Sequence, residues 1–146
     1  MRVEESVEID RPIAEVFEYV SDPQNLPEWS GMVIEVRKGA QGPPTQGAAF
    51  TSVAKFLGRR FETSFEVASY DPPRRCSNRS TGGPIHPQEW TRTFEETAGG
   101  GTHLTQVVEG EPGGFFRLAG PLLERAGRRQ FRTDLENLKE LLEAPD

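Results

Sequence analysis

Trp90, Arg92 and Phe94 stand two apart in a run of strand-forming residues, so they share one face of a strand. An arginine on an apolar strand face brings a permanent cation and five N–H donors to a place that tolerates neither without a partner. Leu104, Gln106 and Val108 repeat the pattern farther along the chain. If both faces turn inward, Arg92 and Gln106 are the polar anchors able to orient a carboxylate, a carbonyl or a phenol in an apolar pocket. If they turn outward, Trp90 and Phe94 are scattered surface aromatics. We favour the inward assignment.

The remaining reactive side chains are weaker candidates. His86 sits in a loop between Ile85 and Pro87, and an imidazole that titrates near neutrality suits a general acid or base. Most loop histidines are simply solvated. His103 follows a Gly-Gly-Gly-Thr turn and alternates opposite Leu104, which places it on the surface. Cys76 lies among Arg74, Arg75 and Arg79, cations that lower a thiol pKa, yet no base is positioned beside it. Glu62 and Glu66 share a strand face, as do Glu109 and Glu111, and on a sheet with one wet face such pairs are the solvated side. No glycine-rich phosphate loop, no Gly-x-Ser-x-Gly elbow and no metal-spaced set of ligands is present. The expectation is therefore no metal and no cofactor.

Composition narrows the classes further. The 146 residues suit one domain spanning 1–146. Seventeen basic and 23 acidic residues leave a net charge of −6, which argues against nucleic acid as a partner. One cysteine excludes an intramolecular disulfide and a cysteine-built zinc site. No stretch approaches the roughly 18 apolar residues of a membrane span, so no stable membrane insertion is expected. Arg2, Glu4, Glu5, Glu8 and Asp10 interrupt the start of the chain before any apolar signal region forms. These features predict a cytoplasmic protein.

The elements that must position these residues are short and well punctuated, with 15 glycines and 12 prolines setting turns of the kind an antiparallel β-protein needs. Arg2–Ile9 alternates as a strand with one buried face. Pro12 suits a first helical position, and Ile13, Val16, Phe17 and Val20 follow at helical spacing. A second short helix covers Asn25–Trp29, a strand Met32–Arg37, and a Gly/Pro-rich loop Gly39–Gly47. Strands are predicted over Ala48–Phe56 and Arg60–Tyr70, the second with Phe61, Thr63, Phe65 and Val67 on one face. Arg75–Thr81 reads as a polar, edge-like strand, followed by a loop over Gly82–Pro87. Gln88–Thr97 and Thr102–Glu109 form a hairpin, and a long helix runs from Phe115 to Glu143.

That helix holds Phe116, Gly120, Leu123, Gly127, Phe131, Leu135, Leu138 and Leu142 on one face, at spacings of 4, 3, 4, 4, 4, 3 and 4. Each interior glycine costs a helix about 1 kcal/mol relative to alanine. Two readings account for Gly120 and Gly127: close packing of the helix on a bulky strand residue, or a cavity left beneath the helix's first half. In the second, Leu135, Leu138 and Leu142 plug the closed end. Pro121 should kink the helix or start a new one. A second apolar set, including Phe115, Leu118 and Leu122, lies away from the main stripe, with Arg125, Arg128, Arg129 and Arg132 between. That strip suits a protein partner, a second copy of the chain or a membrane surface, unless a loop covers it.

The order strand, two short helices, meander, long helix resembles the helix-grip fold. The residues Val7-Glu8-Ile9-Asp10-Arg11-Pro12-Ile13-Ala14-Glu15-Val16-Phe17 resemble the opening of the START/Bet v 1-like (SRPBCC) superfamily, in particular its polyketide cyclase/dehydrase-like members. Asp22–Trp29, Val67–Arg75, Trp90–Phe94 leading into Gly101–Thr105, and Asp134–Glu143 are similar as well, so the resemblance spans the chain. It implies an α+β fold in which a curved antiparallel sheet of about seven strands grips the long helix. An apolar cavity would lie between them, taking a lipid, a polyketide or another flat apolar molecule. The ligand-binding residues expected on this basis are Trp29, Phe61, Phe65, Trp90, Arg92, Phe94, Gln106, Phe116, Gly120, Leu123 and Gly127. Fold alone does not separate a carrier from a cyclase or dehydratase enzyme, in which Arg92, Gln106 and His86 would polarise carbonyls, or from an interaction module that uses the Phe115/Leu118/Leu122 face.

Overall fold

A computed structural model describes residues 1–38, 45–56, 58–111 and 120–145. Seven strands form one antiparallel sheet: β1 (Arg2–Ile9), β2 (Val33–Lys38), β3 (Ala49–Phe56), β4 (Arg59–Asp71), β5 (Arg75–Gly82), β6 (Gln88–Glu96) and β7 (Thr102–Gly110). Their order is β1-β7-β6-β5-β4-β3-β2, so β2 to β7 form a meander and β1 returns to pair with β7. Helices α1 (Ile13–Val20) and α2 (Leu26–Trp29), with a 3-10 turn between them at Pro23–Asn25, follow β1. Helix α3 (Gly120–Glu143) lies against β1 and α2 on the concave side. This is the helix-grip arrangement.

Two expectations need correction: β5 as an edge strand, and Pro12 as the first helical residue. Strand β5 is central, flanked by β4 and β6. Its polar residues are small enough to be buried there: Ser77 shares a 2.7 Å hydrogen bond with Ser69, and Ser80 accepts from the Gln88 N–H at 2.8 Å. Polarity read as an edge was polarity satisfied across the ladder. Pro12 stands one residue before α1, with extended backbone at the cap. Pro121 falls in the first turn of the described helix, where a proline is tolerated, in keeping with the alternative that it starts a helix. Phe115, Phe116 and Leu118 lie outside the described residues.

A register shift between Val67 and Ser69 inserts Ala68 as an extra residue in β4. It bends the strand and switches the inward set from Thr63, Phe65 and Val67 to Tyr70. The β6–β7 hairpin closes through Gly100, whose φ of +84° favours glycine, and Gly101, where a Cβ would sit 2.7 Å from the Ile9 carbonyl oxygen.

The core is densest at one end. Ile9, Val16, Phe17, Phe94 and Leu104 pack with Leu135 and Leu138 of α3, while Leu142 adds a partly buried layer. The Phe17 ring meets Phe94 edge-on at 5.0 Å and Tyr70 at 5.5 Å. The same end is tied by polar groups: Arg11 donates through Nε to the Leu142 carbonyl at 2.7 Å, and the Asp10 N–H donates to Glu143 Oε2 at 2.8 Å. Arg11 thereby satisfies a carbonyl that the helix terminus leaves open. Leu138→Ala should lower stability by about 2–5 kcal/mol through the cavity it creates, while Leu141→Ala, at a site 47% exposed, should stay within about 0.5 kcal/mol of wild type. Urea denaturation of both variants checks the contrast.

Candidate functional site

Below the N-terminal half of α3 the packing opens. An apolar chamber of about 100 Å³ lies between that half and the strands. Phe56, Phe61, Phe65 and Trp90 form its sheet wall, Leu123, Gly127 and Phe131 its helix wall, and Met1, Met32 and Ile85 close its sides. A smaller chamber of about 50 Å³ adjoins it toward α2, sharing Val33, Ser52, Phe65 and Trp90. Its wall is more polar, with Ser30, Ser52, Asn78 and Arg92 beside Leu26 and Phe50.

The inward-facing assignment of Trp90, Arg92 and Phe94 fits their burial, but the three do different things. Trp90 lines both chambers, its indole N–H donating to Gln88 Oε1 at 2.6 Å. Arg92 lines the smaller chamber. Phe94 belongs to the packed end, against Phe17, and touches neither space. Gln106 is fully buried and accepts the Arg92 Nε–H at 2.7 Å. It holds the arginine and is absent from both linings. Trp29 is likewise in the packed core, with its ring centroid 5.2 Å from the Arg92 guanidinium carbon. Among the described residues its indole N–H has no hydrogen-bond partner.

The two helix glycines separate. A Cβ on Gly127 would meet Val3 Cγ2 at 3.6 Å, ordinary contact, so close packing does not require glycine there; the missing side chain is chamber volume. A Cβ on Gly120 would meet no described atom within 4 Å, and Gly120 is not among the described lining of either chamber. His86 turns outward from Ile85; its Nδ1 bonds the Ser80 hydroxyl at 2.8 Å and its ring lines neither chamber. Cys76 is buried beside Arg92, and burial pushes its thiol pKa up despite the neighbouring Arg92 and Arg75 charges. Glu62 and Glu66 pair on the wet face with Arg37 at 3.2 Å and Arg79 at 2.6 Å. Among the described residues no group of three or more His, Cys, Asp or Glu side chains is placed to hold a metal ion. Nor is any described helix long and apolar enough to cross a membrane.

Asp134 is the functional candidate that the sequence reading passed over. It sits on the buried face of α3 between Phe131 and Leu138, and a carboxylate at that register position is a signal in its own right. Its Oδ1 accepts from the Gly31 N–H and from Gln130 Nε2, both at 2.8 Å, and Ser30 Oγ donates to Oδ2 at 3.4 Å. Asp134 thus ties the segment after α2, one wall of the smaller chamber, to the long helix. Burial raises its pKa, opposed by those hydrogen bonds and by the field of Arg92. Burial likewise lowers the pKa of Arg92, opposed by Cys76 and Asp134.

The family model described as polyketide cyclase / dehydrase and lipid transport matches residues 1–143. Comparison with curated proteins finds no match. Among solved structures, the Thermus thermophilus protein TTHA0849 superposes with a TM-score of 0.83 at 20% identity, covering 99% of this chain and all (100%) of its own. A START superfamily protein from Mycobacterium smegmatis gives 0.82 at 15% identity, with 97% of each chain covered. Ara h 8.0201 gives 0.73 at 14% identity, with 99% of each chain covered. At these identities the likeness is one of fold. The chain belongs to the polyketide cyclase / dehydrase and lipid transport family.

A raised acid pKa means that the folded state holds the Asp134 proton more tightly than the unfolded chain does. Stability from this group is therefore greatest at low pH and falls as pH rises from about 3.9, the unfolded value, through the raised folded value. Asp134→Asn cannot titrate. Compared with it, wild type should lose stability as pH rises above the ordinary carboxylate range, read as a closing or reversing gap in urea midpoints; a gap that stays constant contradicts the assignment.

Proposed function

We propose that this family member binds an apolar or aromatic small molecule, a lipid or a polyketide-like compound, in the space between its sheet and its long helix. The observation that carries the reading is the chamber walled by Phe56, Phe61, Phe65, Trp90, Leu123 and Phe131 and deepened by Gly127. Close-packed interiors rarely leave such volume, and a cavity lined this way favours apolar occupants over water. Shape supports the same reading, because flat rings can stack on the Trp90 and Phe61 walls.

Binding, with transport as its purpose, is favoured over conversion by the character of the walls. Neither chamber, among its described lining residues, carries an Asp, Glu, His, Cys, Tyr or Lys side chain. A cyclase or dehydratase working here would have only shape and the Arg92 cation to act with. A cytoplasmic location belongs to the same reading. The exposed Leu122, 62% accessible beside Arg125 and Arg129, is the described remnant of the apolar strip considered for partner binding.

Native mass spectrometry of protein purified from its own host tests the proposal directly. A specific small molecule should be released on denaturation and recovered in organic solvent. Gly127→Leu, which directs a side chain past Val3 into the chamber, should remove most of that mass while the protein remains folded. Gly127→Ala should instead stabilise the helix by up to about 1 kcal/mol. A clean apo mass, unchanged after challenge with flat aromatics, fatty acids and sterols, overturns the reading.

A further inference from the structure

Arg92 is fully buried and uses one of its five N–H donors, Nε–H to Gln106. Among the described residues no acceptor bonds either Nη nitrogen, and no carboxylate stands within 4 Å of the guanidinium. Asp134 acts on it only through its field, because the Asp134 oxygens are occupied by Gly31, Gln130 and Ser30. The indoles of Trp29 and Trp90, at 5.2 and 5.9 Å, stabilise the cation but supply no lone pair in the plane of its Nη edge. The Trp29 indole N–H beside it is a further buried donor without an acceptor among the described residues. An excess of buried donors with a net positive charge is the complement of an anion.

The surroundings say how that anion arrives. Arg92 lines the smaller chamber, where Ser52 and Asn78 can complete the coordination of two oxygens. The smaller chamber shares Phe65 and Trp90 with the apolar one, so the two spaces lie side by side. Resting on the cavity-binding reading, we propose that the occupant is an amphipathic monoanion whose carboxylate takes the Nη donors of Arg92 while its apolar body lies against Gly127 and Phe131. A planar guanidinium held at Nε offers its remaining edge to a carboxylate in the bidentate manner. Gln106 is then a positioning residue: it fixes which edge of the guanidinium faces the chamber. A methyl ester of the same shape would offer a neutral carbonyl oxygen in place of the charged, bidentate carboxylate and would lose the charge-assisted pair.

Matched pairs of acid and methyl ester separate the head from the body: 2-naphthoate, cinnamate and decanoate, each against its ester, titrated calorimetrically. Wild type should bind the acids at least about tenfold more tightly than the esters, as expected of a charge-assisted pair. Arg92→Met should erase that preference and leave ester affinity within about threefold. Gln106→Leu, which keeps the charge but frees its orientation, should reduce the acid-to-ester ratio, whereas loss of mere packing would weaken both alike. Should Arg92→Met fail to fold by circular dichroism, the wild-type ratio and the Gln106→Leu ratio decide. Equal binding of acids and esters, or a preference that survives in Arg92→Met, overturns the monoanion and leaves the apolar cavity standing. Binding of neither class overturns both.

Discussion

The rest of the molecule depends on how tightly the C-terminal half of α3 is held. Leu135 and Leu138 are almost completely buried against Ile9, Phe17 and Leu104, and Arg11, Asp10 and Lys139 tie the last turns to the end of β1. With that half anchored, the helix can extend over the sheet without filling the space beneath it. A void costs dispersion contacts and apolar burial, so it persists only where the surrounding packing is sufficient to offset the loss. The missing side chain at Gly127, between Leu123 and Phe131, helps convert a packed interface into a chamber.

Charge is handled by the same division. The buried pair Arg92 and Asp134 sits where the packed end meets the open one, each member held by hydrogen bonds to neutral groups and neither in contact with the other. A buried ion pair in direct contact would satisfy itself and close the site. Separation keeps Asp134 employed in joining α2 to α3 and leaves Arg92 with unfilled donors. The cost of holding a cation in this state is moderated by two indoles and by the distant carboxylate.

Most of the architecture was legible in the sequence because period and punctuation carry it. The alternation of β4, β6 and β7 and the 4/3 spacing on α3 fixed which faces turn inward, and the structure keeps them there. What escaped depends on position across the sheet. No local pattern says that β5 is central, since its buried serines are satisfied by partners on neighbouring strands. The same limit applies to the site. Alternation places Phe94 and Arg92 on one face but cannot tell which lies beneath α1 and which opens into free space. Gln106 and Trp29 were legible as inward groups, yet their contacts with Arg92 required the fold. Asp134 was legible in principle, as a charge on an apolar stripe.

The extra residue at Ala68 has a consequence for how the sequence can change. Upstream of it β4 sends Phe61, Thr63 and Phe65 to the chamber, and downstream Tyr70 to the packed core. A single strand therefore serves two compartments out of phase. Tyr70 also packs against Phe50, Phe65 and Val67, so substitutions there couple the two sets, whereas those at Phe61 and Thr63 should combine nearly additively with changes at the packed end. The walls at Phe61 and Thr63 can therefore change while the half that sustains folding is left alone, which makes this scaffold tolerant of diversification along the chamber.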